Sequence, residues 1–159
     1  MPSSFFERGA RASLPVIQFL QTRMPLPFAN RMMKKSAASV RLSAEVKHTS
    51  VGMNGVAAEW IELQSGSSEQ VLLYFHGGGF VFGLSSLHLQ MAAYLAKRSG
   101  LRVLMVDYRL APDAPFPAAL EDCYNAYQWL LAQGVEPKNI VLGGDSAGGN
   151  LVLTLLMKL

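Results

Sequence analysis

Residues 139–159 read NIVLGGDSAGGNLVLTLLMKL. Asn139 to Gly144 is a short apolar run, the pattern of a strand buried on both faces. Ala147 to Leu159 is apolar and long enough for a helix. Ser146 stands between them in Gly144-Asp145-Ser146-Ala147-Gly148, a G-x-S-x-G string. A serine in a sharp strand-to-helix turn is held in a strained backbone with its hydroxyl facing outward. Side chains two residues before and after it would collide, so both places call for glycine. The helix that follows presents free N–H groups and a positive dipole end beside the hydroxyl.

Upstream, the same rhythm repeats. "VLLYF" (71–75) is a buried strand followed by the loop "HGGGF" (76–80), then a helical run closed by Gly100. "RVLMVDY" (102–108) is a second such strand and precedes the amphipathic helix that Gly134 closes. Alternating strands and helices give a parallel sheet covered on both faces with right-handed crossovers. Ligands bind such sheets at the carboxyl ends of the strands. Both unusual loops, 77–79 and 144–148, lie there. Three successive glycines leave backbone N–H groups free to face a developing negative charge, as an oxyanion hole does. A P-loop is excluded, because its lysine and Ser/Thr are absent, and no G-x-G-x-x-G opens a helix.

Before this region, "EVKHTSV" and "VAAEWIEL" read as strands, with Asn54-Gly55 between them as a hairpin turn. Residues 1–44 read as helical. Ser13 and Pro15 form a helix start, and "MPLPF" (24–28) is a break before "NRMMKKSAASVRL" resumes. They are expected to form a cap, and residues 45–159 part of one α/β domain.

With 159 residues, half of them hydrophobic and 16% charged, the composition is that of a folded domain. The net charge of +3 divides unevenly, +6 over residues 1–48 and −3 over the remainder. A basic arm fits nucleic acid or anionic lipid, but no aromatic-basic interleaving marks a nucleic-acid surface. The arm reads as a solvated helix face. No apolar stretch reaches the length of a membrane span. Cys123 is the sole cysteine, so no internal disulfide forms and a cytoplasmic location is expected. No His/Cys cluster has metal-ligand spacing, and no cofactor is expected.

HGGGF at 76–80, "DYRLAPDAPFPAALEDC" at 107–123 and GDSAGGN at 144–150 closely resemble, in order and spacing, the hormone-sensitive-lipase-like esterases of the α/β-hydrolase fold. One departure is Asp113, where the family usually has glutamate. The resemblance implies a three-layer sheet, mostly parallel with an N-terminal antiparallel hairpin. It implies that Ser146 attacks a small acyl-ester substrate while the N–H groups of Gly78, Gly79 and Ala147 bind the oxyanion. His76 would fix the glycine loop, and residues 1–44 would supply much of a lid. The same fold also serves non-catalytic binders such as the plant gibberellin receptors, and amidase or deacetylase chemistry stays open.

In α/β-hydrolases the triad runs Ser, then Asp or Glu, then His. Here only 13 residues follow Ser146, none of them histidine or carboxylate, and His48, His76 and His88 all precede it. The chain is therefore expected to be the N-terminal portion of an esterase, inactive alone, with on the order of 100 residues of further strands and helices absent. A complementing C-terminal chain or a homo-oligomer would complete it. Strand 139–143 is then an exposed edge, and one face of the helix after it is uncovered. The remaining polar residues take structural readings: His48 on a surface edge strand, His88 at a helix start, Asp145 as support for the turn, and Asp107 with Arg109 as an ion pair or turn.

Overall fold

The computed structural model describes residues 25–66 and 68–159. The expectations placed on residues 1–24, including the helix start at Ser13, lie outside the described residues. In chain order come α1 (Leu26–Ala38), β1 (Val46–Met53), β2 (Val56–Leu63), β3 (Val71–Phe75), α2 (Ser86–Ser99), β4 (Arg102–Asp107), α3 (Ala118–Ala132), β5 (Ile140–Gly144) and α4 (Ala147–Lys158).

The five strands form one sheet in the order β1-β2-β4-β3-β5. β3 pairs in parallel with β4 and with β5, while β1–β2 and β2–β4 are antiparallel. Asn54 and Gly55 both take positive φ, 52° and 92°, the backbone of a two-residue hairpin turn. After β3 the chain moves outward to β4, then returns across β3 to form β5. That reversal opens a crevice at the carboxyl ends of β3 and β5.

Period-two alternation along the strands divides the core. Leu73, Phe75, Leu104 and Val106 face Cys123 and Leu130 of α3 and Leu151 and Leu155 of α4. Tyr74, Val103 and Met105 face Leu89, Ala92 and Ala96 of α2 on the other side. Helices thus cover both faces, as the sequence predicts. Gly100 ends α2 in the left-handed conformation at φ 74°, a backbone that favours glycine.

Three expectations need correction. The break expected at Met24–Phe28 lies partly inside a helix, because α1 begins at Leu26. A proline in a helix's first turn gives up no intrahelical hydrogen bond, so Pro27 is tolerated there. Beyond Ala38 the chain leaves the helix, so residues 39–44 are not part of it. Asp107 and Arg109 are also not a pair. The Arg109 side chain instead grips Asp122, with Nη2 to Oδ1 at 2.8 Å and Nε to both oxygens at 3.0 Å, and the Arg109 backbone N–H donates to Oδ2 at 2.8 Å. Asp122 is buried on α3 and must be partnered. Asp107 faces Lys34 at 4.0 Å.

β5 ends the sheet with Val141 exposed, and α4 leaves Leu153, Leu156 and Met157 exposed. A strand edge beside an apolar helix face favours association. The 159-residue chain is expected to self-associate with rising concentration in sedimentation velocity. Leu153→Lys with Met157→Lys should shift it toward monomer; an unchanged distribution would place the contact elsewhere.

Candidate active site

The turn after β5 has the backbone its glycines imply. Ser146 sits at φ 50° and ψ −117°, a rare conformation for a residue with a side chain. A Cβ on Gly144 would lie 2.5 Å from the Gly148 carbonyl carbon and 2.8 Å from the Phe75 carbonyl oxygen. A Cβ on Gly148 would overlap the Phe75 carbonyl oxygen and reach 2.8 Å from that of His76. The start of α4 therefore touches the end of β3 through backbone alone. That contact sets Ser146 beside the glycine loop.

In that loop, Gly78 and Gly79 take φ 134° and 60°, and Phe80 follows at 63°. A Cβ on Gly78 would lie 2.5 Å from the Phe82 carbonyl oxygen. Among the described residues, the N–H groups of Gly78, Gly79 and Ala147 donate to no acceptor. Free donors at two loop glycines and at the first residue of a helix are what a site for a developing oxyanion requires.

Asp145 joins the two loops. Its Oδ1 accepts the Gly77 N–H at 2.9 Å and the Tyr74 hydroxyl at 3.2 Å. Its carboxylate also occupies the space a Cβ on Gly77 would need. Burial, with the charge of Asp145, pushes the Tyr74 phenol up to about 12, so it remains a donor at neutral pH. The sequence reading of Asp145 as support for the turn thus acquires a partner, the backbone of the glycine loop.

His76 is fully buried and stacks on Tyr108, with ring centroids 4.3 Å apart. Its Nδ1–H donates to the Gly77 carbonyl at 2.7 Å, and the Tyr108 hydroxyl donates to the His76 carbonyl at 2.6 Å. Both bonds fix the loop. Nε2 is buried with no partner among the described residues. Burial holds the His76 imidazole below its ordinary range. The Nδ1 of His88 accepts the Ser85 N–H at 3.1 Å, closing a capping box at the start of α2. His48 is bonded to Glu59 at 2.8 Å on the edge strand. Among the described residues, no side chain partners the Ser146 hydroxyl.

Asn30 of α1 was not legible beforehand. Its Nδ2 donates to the Val81 carbonyl at 2.8 Å, and its Oδ1 accepts the Gly83 N–H at 3.0 Å. One amide thus stitches α1 to the segment following the three glycines. A single asparagine on a mixed helix carries no sequence signal for this; only the fold brings residues 30 and 83 together. Beside Gly79 and Phe80 opens an apolar cavity of about 320 Å³, lined also by Phe116, Leu120, Asn150 and Leu151.

The sequence profile of the family described as alpha/beta hydrolase fold matches residues 72–159. This chain belongs to the α/β-hydrolase family, in its hormone-sensitive-lipase-like branch. It is 38% identical over 141 residues to the carboxylesterase/phospholipase LipF of Mycobacterium tuberculosis, covering 86% of this chain and 37% of that one. It is 41% identical over 99 residues to human hormone-sensitive lipase, covering 60% of this chain and 9% of that one. The crystal structure of an esterase from the bacterial hormone-sensitive lipase family superposes with a TM-score of 0.77 at 45% identity, over 86% of this chain and 46% of that chain. An esterase/lipase from an uncultured bacterium superposes at 0.76 with 39% identity, over 86% and 46%. The chain spans about half the length of these solved relatives and a smaller share of the two curated ones. Among the described residues, no helix of this α/β-hydrolase chain is long and apolar enough to cross a membrane.

Two outcomes follow from the site's geometry. Gly148→Ala should destabilise by more than about 2 kcal/mol, because its clash is with backbone that cannot step aside. Gly149→Ala, with its nearest contact at 3.5 Å, should instead stabilise α4 by about 0.5–1 kcal/mol. Urea unfolding of both variants checks the contrast. The second outcome concerns pH. The unfolded chain takes up protons at His76 and His88 near the ordinary 6.5, whereas burial lowers both in the fold. Their contribution to stability is present above about pH 6.5 and is lost as pH falls through the lower folded values. The urea midpoint should drop between neutral and mildly acidic pH, and drop less in His76→Asn.

Proposed function

We propose that this site hydrolyses carboxylic esters, with Ser146 as the nucleophile. The Ser146 hydroxyl gives its proton to a base as its oxygen adds to the ester carbonyl, and the N–H groups of Gly78, Gly79 and Ala147 donate to the oxyanion that forms. Collapse expels the alcohol, which takes the proton back from the base, and leaves an acyl group on Ser146 that water then removes as the carboxylic acid. One observation carries the reading: Ser146 at φ 50° lies next to two loops whose three N–H groups are free. Losing one such donor costs about 10²–10³ in rate, so these backbone groups are a large part of the catalyst.

The base is proposed to be a histidine outside these 159 residues, oriented by a carboxylate also outside them. His76 is fully buried against Tyr108 with its Nδ1–H given to Gly77, His88 is held by Ser85, and His48 lies on the edge strand bonded to Glu59. Asp145 is engaged by Gly77 and Tyr74. The apolar cavity beside Gly79 fits short or medium acyl chains.

The 159-residue chain is expected to hydrolyse p-nitrophenyl butyrate no faster than Ser146→Ala. Fused to the C-terminal half of a solved relative, it should gain activity that Ser146→Ala abolishes. Clear Ser146-dependent turnover by the chain alone would place the base within it. A fusion that folds yet stays at the level of its Ser146→Ala form would overturn the nucleophile assignment.

A further inference from the structure

α1 packs one side against the domain, with Ala29 buried and Asn30 reaching the loop after Gly79. Phe28, Arg31, Met32 and Lys35 stand at i, i+3, i+4 and i+7 and share one face. All four are exposed, Phe28 at 55% and Met32 at 53%. A helix face that meets only water has no use for two large apolar side chains in register with two cations. The helix has three cations, Arg31, Lys34 and Lys35, and no carboxylate. Lys34 approaches Asp107, while Arg31 and Lys35 have no ion-pair partner among the described residues. In sequence, residues 1–48 carry +6. The solvated-face reading of this basic arm therefore does not account for Phe28 and Met32.

We propose that the outer face of α1 docks the chain onto an anionic lipid surface. Phe28 and Met32 enter the boundary between headgroups and acyl chains, and Arg31 and Lys35 meet the lipid phosphates. Charge complementarity selects an anionic surface over a neutral one. Two apolar side chains with one aromatic ring between them do not form a base-stacking platform, which sets nucleic acid aside. Because Asn30 ties the same helix to Val81 and Gly83, the docked surface lies on the side of the molecule that holds the oxyanion loop. The inference stands independently of the esterase reading, since docking needs no turnover.

The test is co-sedimentation of the full chain with vesicles. The probes are phosphatidylcholine alone and phosphatidylcholine mixed with phosphatidylglycerol. The chain is expected to partition onto the mixed vesicles and to dissociate as salt is raised. Arg31→Glu with Lys35→Glu should lower the partition by about tenfold or more, each cation being worth about fivefold at such a surface. Phe28→Ser with Met32→Ser should lower it similarly. These side chains are exposed, so circular dichroism should show both variants folded. Leu153→Ser with Met157→Ser, on the apolar face of α4, should leave the partition unchanged. Equal binding to phosphatidylcholine alone overturns the proposal. So does binding that survives both α1 variants, binding lost in the α4 variant, or displacement of the vesicles by duplex DNA.

Discussion

The backbone contact between the start of α4 and the end of β3 is the constraint on which the site depends. Gly148 lies against the carbonyls of Phe75 and His76, and Gly144 lies against Gly148 and Phe75. No side chain fits at either place. The contact lets β5 pair with β3 up to Gly144 and still turn at once into α4. The sharpness of that turn drives Ser146 to a positive φ. Strain of this kind costs on the order of 1–3 kcal/mol and persists only where the surroundings enforce it. Here the parallel pairing of β3 with β5 and the packing of Leu151 and Leu155 into the core enforce it.

From that contact outward, the loops are tied by polar groups that act on backbone. Asp145 holds Gly77, Tyr108 holds His76, and Asn30 holds Val81 and Gly83. The Phe80 carbonyl accepts the N–H of Ala111, linking the glycine loop to the segment before α3. The free N–H groups of Gly78 and Gly79 thus sit on a loop fixed from four directions. Preorganised donors stabilise charge more effectively than donors that must rearrange to do so.

Much of this was legible in the sequence because it depends on backbone rules. Short apolar runs marked β3, β4 and β5, the last of them ending in glycine. Asn54-Gly55 marked the hairpin, and Gly100 marked the end of α2. The G-x-S-x-G spacing announced the turn, since the collision it avoids is local. What stayed hidden rests on partners distant in sequence. Arg109 lies two residues from Asp107 yet binds Asp122, because the buried carboxylate on α3 has the greater need of a cation. Asn30 gives no signal until α1 lies against the loop. The start of α1 was obscured by two prolines that break a helix interior but not its first turn. The exposure of Phe28 and Met32 depends on which side of α1 meets the domain, and the local pattern does not specify it.

We propose that one hydroxyl and three backbone donors converge on a single tetrahedral centre. A boronic acid tests it directly, because addition of the serine oxygen to boron creates a tetrahedral anion. Amide chemical shifts of the chain, followed by NMR during titration with butylboronic acid, report each donor separately. The resonances of Gly78, Gly79 and Ala147 are expected to shift together along one binding curve, and Ser146→Ala is expected to abolish the response. Shifts that leave those three amides unmoved, or that persist without the Ser146 hydroxyl, would contradict it.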